Sequence, residues 1–243
     1  MNATKTGLSE RSVRATARIA AALNILSAIP DGFSVNILQK LAVRNDAAAT
    51  AANILHSEGL FRLGFVADFL AIVIFVASEV LLYTILKPAG KRSALFLLVL
   101  VLIGSAIQAM ADAQDLAALI LLKGGAGLSA LPQAHAQSLA LLFLRLHSYD
   151  YVVALFFFGC SSLVTASLVL RSTFVPRALG PLMTIDGLGF LTFSLGTLLS
   201  LPFAPHLYPY VPFATAAIGE GMFFLWLLIR SVNAERWLEQ AAA

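Results

Sequence analysis

The chain has 243 residues, of which 59% are hydrophobic and 12% charged, and a formal net charge of +3; its mean hydropathy is +0.87. A soluble domain carries about 25% charged residues, so half that proportion leaves too little polar surface for a soluble monomer. A disordered chain needs the opposite composition, and the single cysteine, Cys160, excludes a disulfide scaffold.

What remains is an integral membrane protein. A membrane helix needs about 20 mostly apolar residues to cross roughly 30 Å of hydrocarbon. The first qualifying segment runs from Ile19 to Leu38 and is interrupted by Pro30-Asp31-Gly32. Pro30 has no N–H to give, so a bend or break is expected there. Four basic residues ahead of Ile19–Ile29 also fit a secretory signal. The apolar pattern resumes at Phe33, Val35, Ile37 and Leu38, which favours a kinked span. In the loop that follows, Asp46 is placed to cap a helix from Ala47 to Leu60, with Glu58 and Arg62 one turn apart. The second span is Leu63 to Leu86, with Asp68 and Glu79 inside it, and the third is Ser93 to Leu122. Gly124-Gly-Ala-Gly127 and Pro132 then break the chain, and the glycines read as a flexible loop, since no Walker lysine follows them. A helical pattern restarts near Gln133. Unbroken to Leu170 it would measure about 57 Å, more than a bilayer, so Gln133 to Leu146 is expected to project from the membrane or lie flat on it. The fourth span is the uncharged Tyr151 to Leu170, the fifth Ala178 to Leu199 around Asp186, and the sixth Val211 to Ile229 around Glu220.

These runs are continuous rather than alternating, which excludes a β-barrel. The expected fold is an all-α integral membrane bundle of six transmembrane helices, or seven, with short interfacial helices in the first and third outer loops. Its expected divisions are an N-terminal tail at 1–18, a transmembrane domain at 19–233 and a C-terminal tail at 234–243. Lys5, Arg11, Arg14, Arg18, Lys87, Lys91, Arg92, Arg171, Arg177, Arg230 and Arg236 fall on one side of the spans. Only Lys40, Arg44, Arg62, Lys123 and Arg145 fall on the other. Basic loops stay inside, so both termini are expected in the cytoplasm. The base-free, aromatic loop from Pro202 to Pro212 is expected at the outer interface.

Several stretches carry a family likeness: Ala47 to Asp68, Leu141-Leu-Phe-Leu-Arg-Leu-His-Ser-Tyr149, Pro176-Arg-Ala-Leu-Gly180, Gly219-Glu-Gly-Met-Phe-Phe-Leu-Trp226 and Val232-Asn-Ala-Glu-Arg-Trp237. Together they resemble a bacterial multi-spanning family, domain of unknown function 4386. The resemblance implies a six- or seven-span protein of a bacterial inner membrane and no particular activity. It places the family's recurrent polar positions on Asp68, His147 and Glu220. Gln108 stands where relatives carry an acid, which weakens any mechanism that needs a third carboxylate.

An ionisable residue inside a bilayer is a functional hypothesis by default. By helical rise, Asp68 and Glu220 lie about 9 and 12 Å below the outer surface, while Glu79 and Asp186 lie about 12 and 13 Å from the inner one. Asp112, Asp115, His147 and Asp150 fall near the outer edge. The ligand- or proton-binding candidates are therefore Asp68, Glu220, His147, Tyr149, Asp150, Asp112, Asp115 and Gln108, with Glu79 and Asp186 as a second, inner-side pair. Asp68 and Glu220, at similar depth, are expected to meet. Gly104, Gln108, Ala111 and Asp115 share one stripe of the third span, and His147, Asp150, Ala154, Ser161 and Thr165 one stripe of the fourth. Such stripes also serve plain helix packing. The acids then either bind a cation or relay protons, or they simply hydrogen-bond between helices.

Other chemistries find no residues. No lysine lies at mid-span, as retinal would require, and the histidines (His56, His135, His147, His206) lack zinc-site local spacing. No metal, no cofactor and no nucleic-acid partner is expected, and a membrane enzyme acting on lipid is the weakest reading, since no nucleophile–base pair or metal set is visible. Two functions stand ahead of it. One is a small transporter-like or ligand-binding bundle with an outward-accessible acidic cavity for a proton, cation or amphiphilic solute. The other is an accessory or structural subunit packing against other membrane proteins. In either, membrane lipid is the certain partner.

Overall fold

A computed structural model describes residues 9–124 and 131–243. Lys5 and the glycines at 125 and 127 lie outside them. The chain is all-α, with no strand among the described residues. The helices are α1 (Glu10–Leu41), α2 (Ala47–His56), α3 (Glu58–Leu86), α4 (Lys91–Lys123), α5 (Gln133–Arg171), α6 (Leu179–Leu198), α7 (Ala204–Leu207), α8 (Tyr210–Ala216), α9 (Met222–Arg230) and α10 (Ala234–Ala242). A 3-10 turn follows α3 at Lys87–Ala89, and a π turn at Ala217–Gly221 joins α8 to α9. Six helical stretches are long and apolar enough to cross a membrane: Glu10–Leu41, Glu58–Ala89, Lys91–Lys123, Gln133–Arg171, Leu179–Leu198 and Tyr210–Arg230. This is a multi-pass membrane protein.

The structure departs from the sequence-based boundaries in four places. First, α1 begins at Glu10, inside the expected tail, and runs through Pro30 without a break. A proline removes one N–H from the ladder, and a packed helix can absorb that loss. Second, the helix capped by Asp46 stops at His56 rather than Leu60. The cap itself forms, with Asp46 Oδ1 accepting from the Ala49 N–H at 2.8 Å. Ser57, at φ −118° and ψ 36°, turns the chain so that Glu58 starts α3. Third, α5 is a single helix of 39 residues, about 58 Å long at helical rise. Fourth, 234–243 is no tail. Asn233 Oδ1 accepts from the Arg236 N–H at 3.1 Å and starts α10. Trp237 is 3% exposed, and its indole N–H donates to the Ile85 carbonyl at 2.7 Å. That carbonyl lies in the last turn of α3, where helical partners run out.

The described chain forms two compact units. One takes residues 9–26, Ile74–Gly104 and Val152–Ala243; the other takes Ser27–Val73 and residues 105–124 and 131–151. The first unit packs around Leu82, Leu97, Leu168, Phe223, Phe224 and Leu227. Its helices touch through glycines. A Cβ on Gly187 would lie 2.8 Å from the Gly159 carbonyl oxygen, and one on Gly189 would lie 2.2 Å from Thr215 Oγ1. Small residues at crossings let helix backbones approach, which is how membrane helices gain contact where burial alone gives no drive.

The second unit packs around Ile37, Ile54, Phe61, Leu119, Ala140 and Leu144. The fully buried Ile54 brings α2 onto it. On its surface Glu58 Oε1 receives both Arg62 Nε and Lys123 Nζ at 2.9 Å. These are exposed pairs, each worth about 0–1 kcal/mol.

Candidate functional site

The polar interior of the second unit is built by four helices. On α4, Gln108, Ala111, Asp112 and Asp115 recur at helical spacing, and all are buried. The α1 stretch after Ser27 brings Asp31, the α3 stretch before Val73 brings Asp68, and α5 brings His147. The Gln108 carboxamide donates to Asp68 Oδ1 at 3.0 Å and to Asp31 Oδ1 at 3.5 Å. One amide thus holds two carboxyl groups from different helices. Asp112 is 1% exposed and Asp68 5%. Asp112 neighbours Asp68, Asp115 and Asp31 electrostatically, and Asp115 neighbours His147.

His147 Nδ1 lies 3.1 Å from the Ala111 carbonyl oxygen and 3.3 Å from Asp115 Oδ1. A carbonyl only accepts, so this nitrogen carries the proton and directs it at Ala111. Asp115 Oδ1 is therefore left without a hydrogen bond, and so are both oxygens of Asp112, among the described residues. Buried polar atoms in proteins are nearly always paired. Three oxygens at one place that meet no N–H or hydroxyl donor among the described residues, with the Asp68 carboxyl facing Asp112, are the least expected feature of the unit.

Two other candidates lie in this unit but outside the cluster. Tyr149 is 54% exposed on the outside of α5. Asp150 accepts from the Gln114 carboxamide at 3.3 Å. Asp31 is the member that the sequence reading took as part of a helix break. With α1 continuous through Pro30, Asp31 stands one turn after the buried Ser27, and that spacing is its signal. The expectation of no metal-binding group rested on local spacing. The fold instead brings ligand atoms of Asp112, Asp115 and His147 within 4.8 Å of one another, the one such group among the described residues.

Glu79, Asp186 and Glu220 belong to the first unit, and Asp68 to the second. Asp186 is fully buried, accepts from the Ser162 hydroxyl at 2.6 Å on one oxygen and has no hydrogen-bond partner on the other among the described residues. Glu79 and Glu220 line a cavity with Ser161, Ser162, Thr165 and Phe158. It has room for about one water molecule, too little for an amphiphilic solute. Glu220 sits in the π turn between Gly219 and Gly221, a distortion that recurs at functional positions.

No curated protein and no solved structure matches this chain. A family profile described as a domain of unknown function (DUF4386) matches residues 19–231, which carry both polar sites. The chain is a multi-pass membrane protein and belongs to the DUF4386 family.

Proposed function

We propose that this protein is a small cation-binding, transporter-like bundle of a bacterial plasma membrane, and that its site is the cluster of Asp31, Asp68, Gln108, Asp112, Asp115 and His147. The observation that carries this is the charge balance of the cluster. Four carboxyl groups share one buried place, and their partners among the described residues are an amide, an imidazole and one another, with no lysine or arginine. An unpaired charge in a low-dielectric interior costs several kcal/mol, so these groups either keep their protons or take positive charge from outside the chain. A small cation supplies that charge, with protons as its competitor.

In this reading both termini are cytoplasmic, as the excess of bases there argues, and the site opens outward. In a Cys160→Ser background, a cysteine at Ala134 is expected to react with an impermeant maleimide on intact cells, and one at Ala241 to react only after permeabilisation. The reverse pattern would invert the topology. For the binding reading, protein in proteoliposomes is given an inward gradient of Na+, K+, Mg2+ or Mn2+, one at a time, and uptake is followed. At least one ion is expected to enter with wild type and to lose most of its uptake with Asp112→Asn and with Asp68→Asn. No uptake of any ion, or uptake indifferent to both substitutions, would remove the transport reading.

A further inference from the structure

We infer that Asp112, Asp115 and His147 form a binding site for a divalent transition-metal ion. This rests on the cation-binding reading and narrows its cation to one class.

Three observations carry it. The first is the donor set. Magnesium and calcium take oxygen ligands, whereas an imidazole beside carboxylates suits zinc, iron, cobalt or manganese. The second is geometry. Two ligands about 2.1 Å from a metal at the tetrahedral angle stand about 3.4 Å apart, and His147 Nδ1 lies 3.3 Å from Asp115 Oδ1. All three ligand atoms lie within 4.8 Å of one another, so modest rotamer adjustment closes them on one ion. The third is the state of the oxygens. Asp112, 1% exposed, has no hydrogen-bond partner on either oxygen among the described residues, and Asp115 Oδ1 has none. Asp112 faces the Asp68 carboxyl, so a proton shared with Asp68 is the competitor there, while one cation would serve all three oxygens.

The placement on the chain fits. Asp112 and Asp115 are one turn apart on α4, so one helix face presents both. His147 comes from α5 with its Nδ1 also 3.1 Å from the Ala111 carbonyl oxygen, a further oxygen at the site. When the ion binds, the ring carries its proton on Nε2 and turns the Nδ1 lone pair to the metal. Three protein ligands leave a coordination position open for water or for an exchanging ligand, as a site that loads and unloads its ion needs. Asp68, held by Gln108, lies next to Asp112 and adds negative charge around the ion.

The test uses the full chain, purified in detergent, stripped with a chelator and titrated with Co2+ while its visible absorption is followed. One Co2+ per chain is expected, with a band displaced by Zn2+. Asp112→Asn and His147→Gln are each expected to weaken Co2+ binding at least tenfold, and Glu58→Gln, at the surface ion pair, to leave it unchanged. Because a ligand variant can fail to fold, each is checked for a single sharp elution peak. His147→Cys supplies a second readout, since it should add a sulfur-to-Co2+ band in the near ultraviolet. No stoichiometric Co2+, or binding that survives both ligand substitutions in folded protein, would overturn the assignment. If Co2+ fails while uptake of another ion still depends on Asp112, the metal class falls and the cation reading stands. If Co2+ binds as expected and no ion is taken up, the metal site stands and transport falls.

Discussion

Gly219→Leu is expected to leave no folded protein, and Gly219→Ala to lower stability by about 1–3 kcal/mol, the usual cost of overpacking. Gly219 lies in the π turn against α6. A Cβ there would stand 2.3 Å from Asp186 Cβ and 2.7 Å from the Leu182 carbonyl oxygen. The second of these is backbone and cannot rotate away. The contact also guards the Asp186–Ser162 hydrogen bond, because pushing Asp186 aside would disturb a carboxyl with nowhere to go. Gly221, two residues on, is the internal control. Its Cβ would meet nothing closer than the Ala216 carbonyl oxygen at 3.7 Å, and its φ of −57° is helical. Gly221→Ala is therefore expected to be neutral or to stabilise by up to about 1 kcal/mol, through lost freedom of the unfolded chain. Thermal unfolding of the detergent-solubilised variants reads both. Equal behaviour of the two alanine variants would show that close approach at Gly219 does not hold this packing.

Gln108→Leu is expected to cost more than any single acid substitution in the cluster. One carboxamide serves Asp68 and Asp31 together, and each carboxyl left without its donor costs about 1–3 kcal/mol. Asp68→Asn keeps an oxygen for Gln108 to donate to, so its stability is expected within about 1 kcal/mol of wild type. Asp68→Leu falls between, since Gln108 retains Asp31. Unfolding midpoints of the three variants give the order. If Gln108→Leu is the mildest of them, the amide does not organise the acids. The Asp68→Asn variant carries a second reading: near-native stability with lost ion uptake separates a functional acid from a structural one.

Chain composition and periodicity alone determined the class of this protein. A run of about 20 apolar residues has one stable form in lipid, because every backbone N–H and C=O needs a partner within the segment. The six spans follow from that rule and from nothing about their neighbours. The Asp46 cap was legible too, being a contact within one turn. The stripe of Gln108, Ala111 and Asp115 was legible as interior because helical spacing is local geometry. Tertiary structure decided the rest. Asp112 and Asp115 are three residues apart in sequence, but His147 stands 32 residues after Asp115, and only the packing of α5 on α4 makes them a ligand set. The same holds for Asp31, which joins the cluster because α1 continues past Pro30, and for Trp237, whose partner carbonyl lies on α3. A proline's effect depends on whether neighbours support the helix around it, and a ligand set depends on which faces meet. Neither quantity is written in the period of one segment, so the sequence could place the acids in the membrane and could not say which of them share a site.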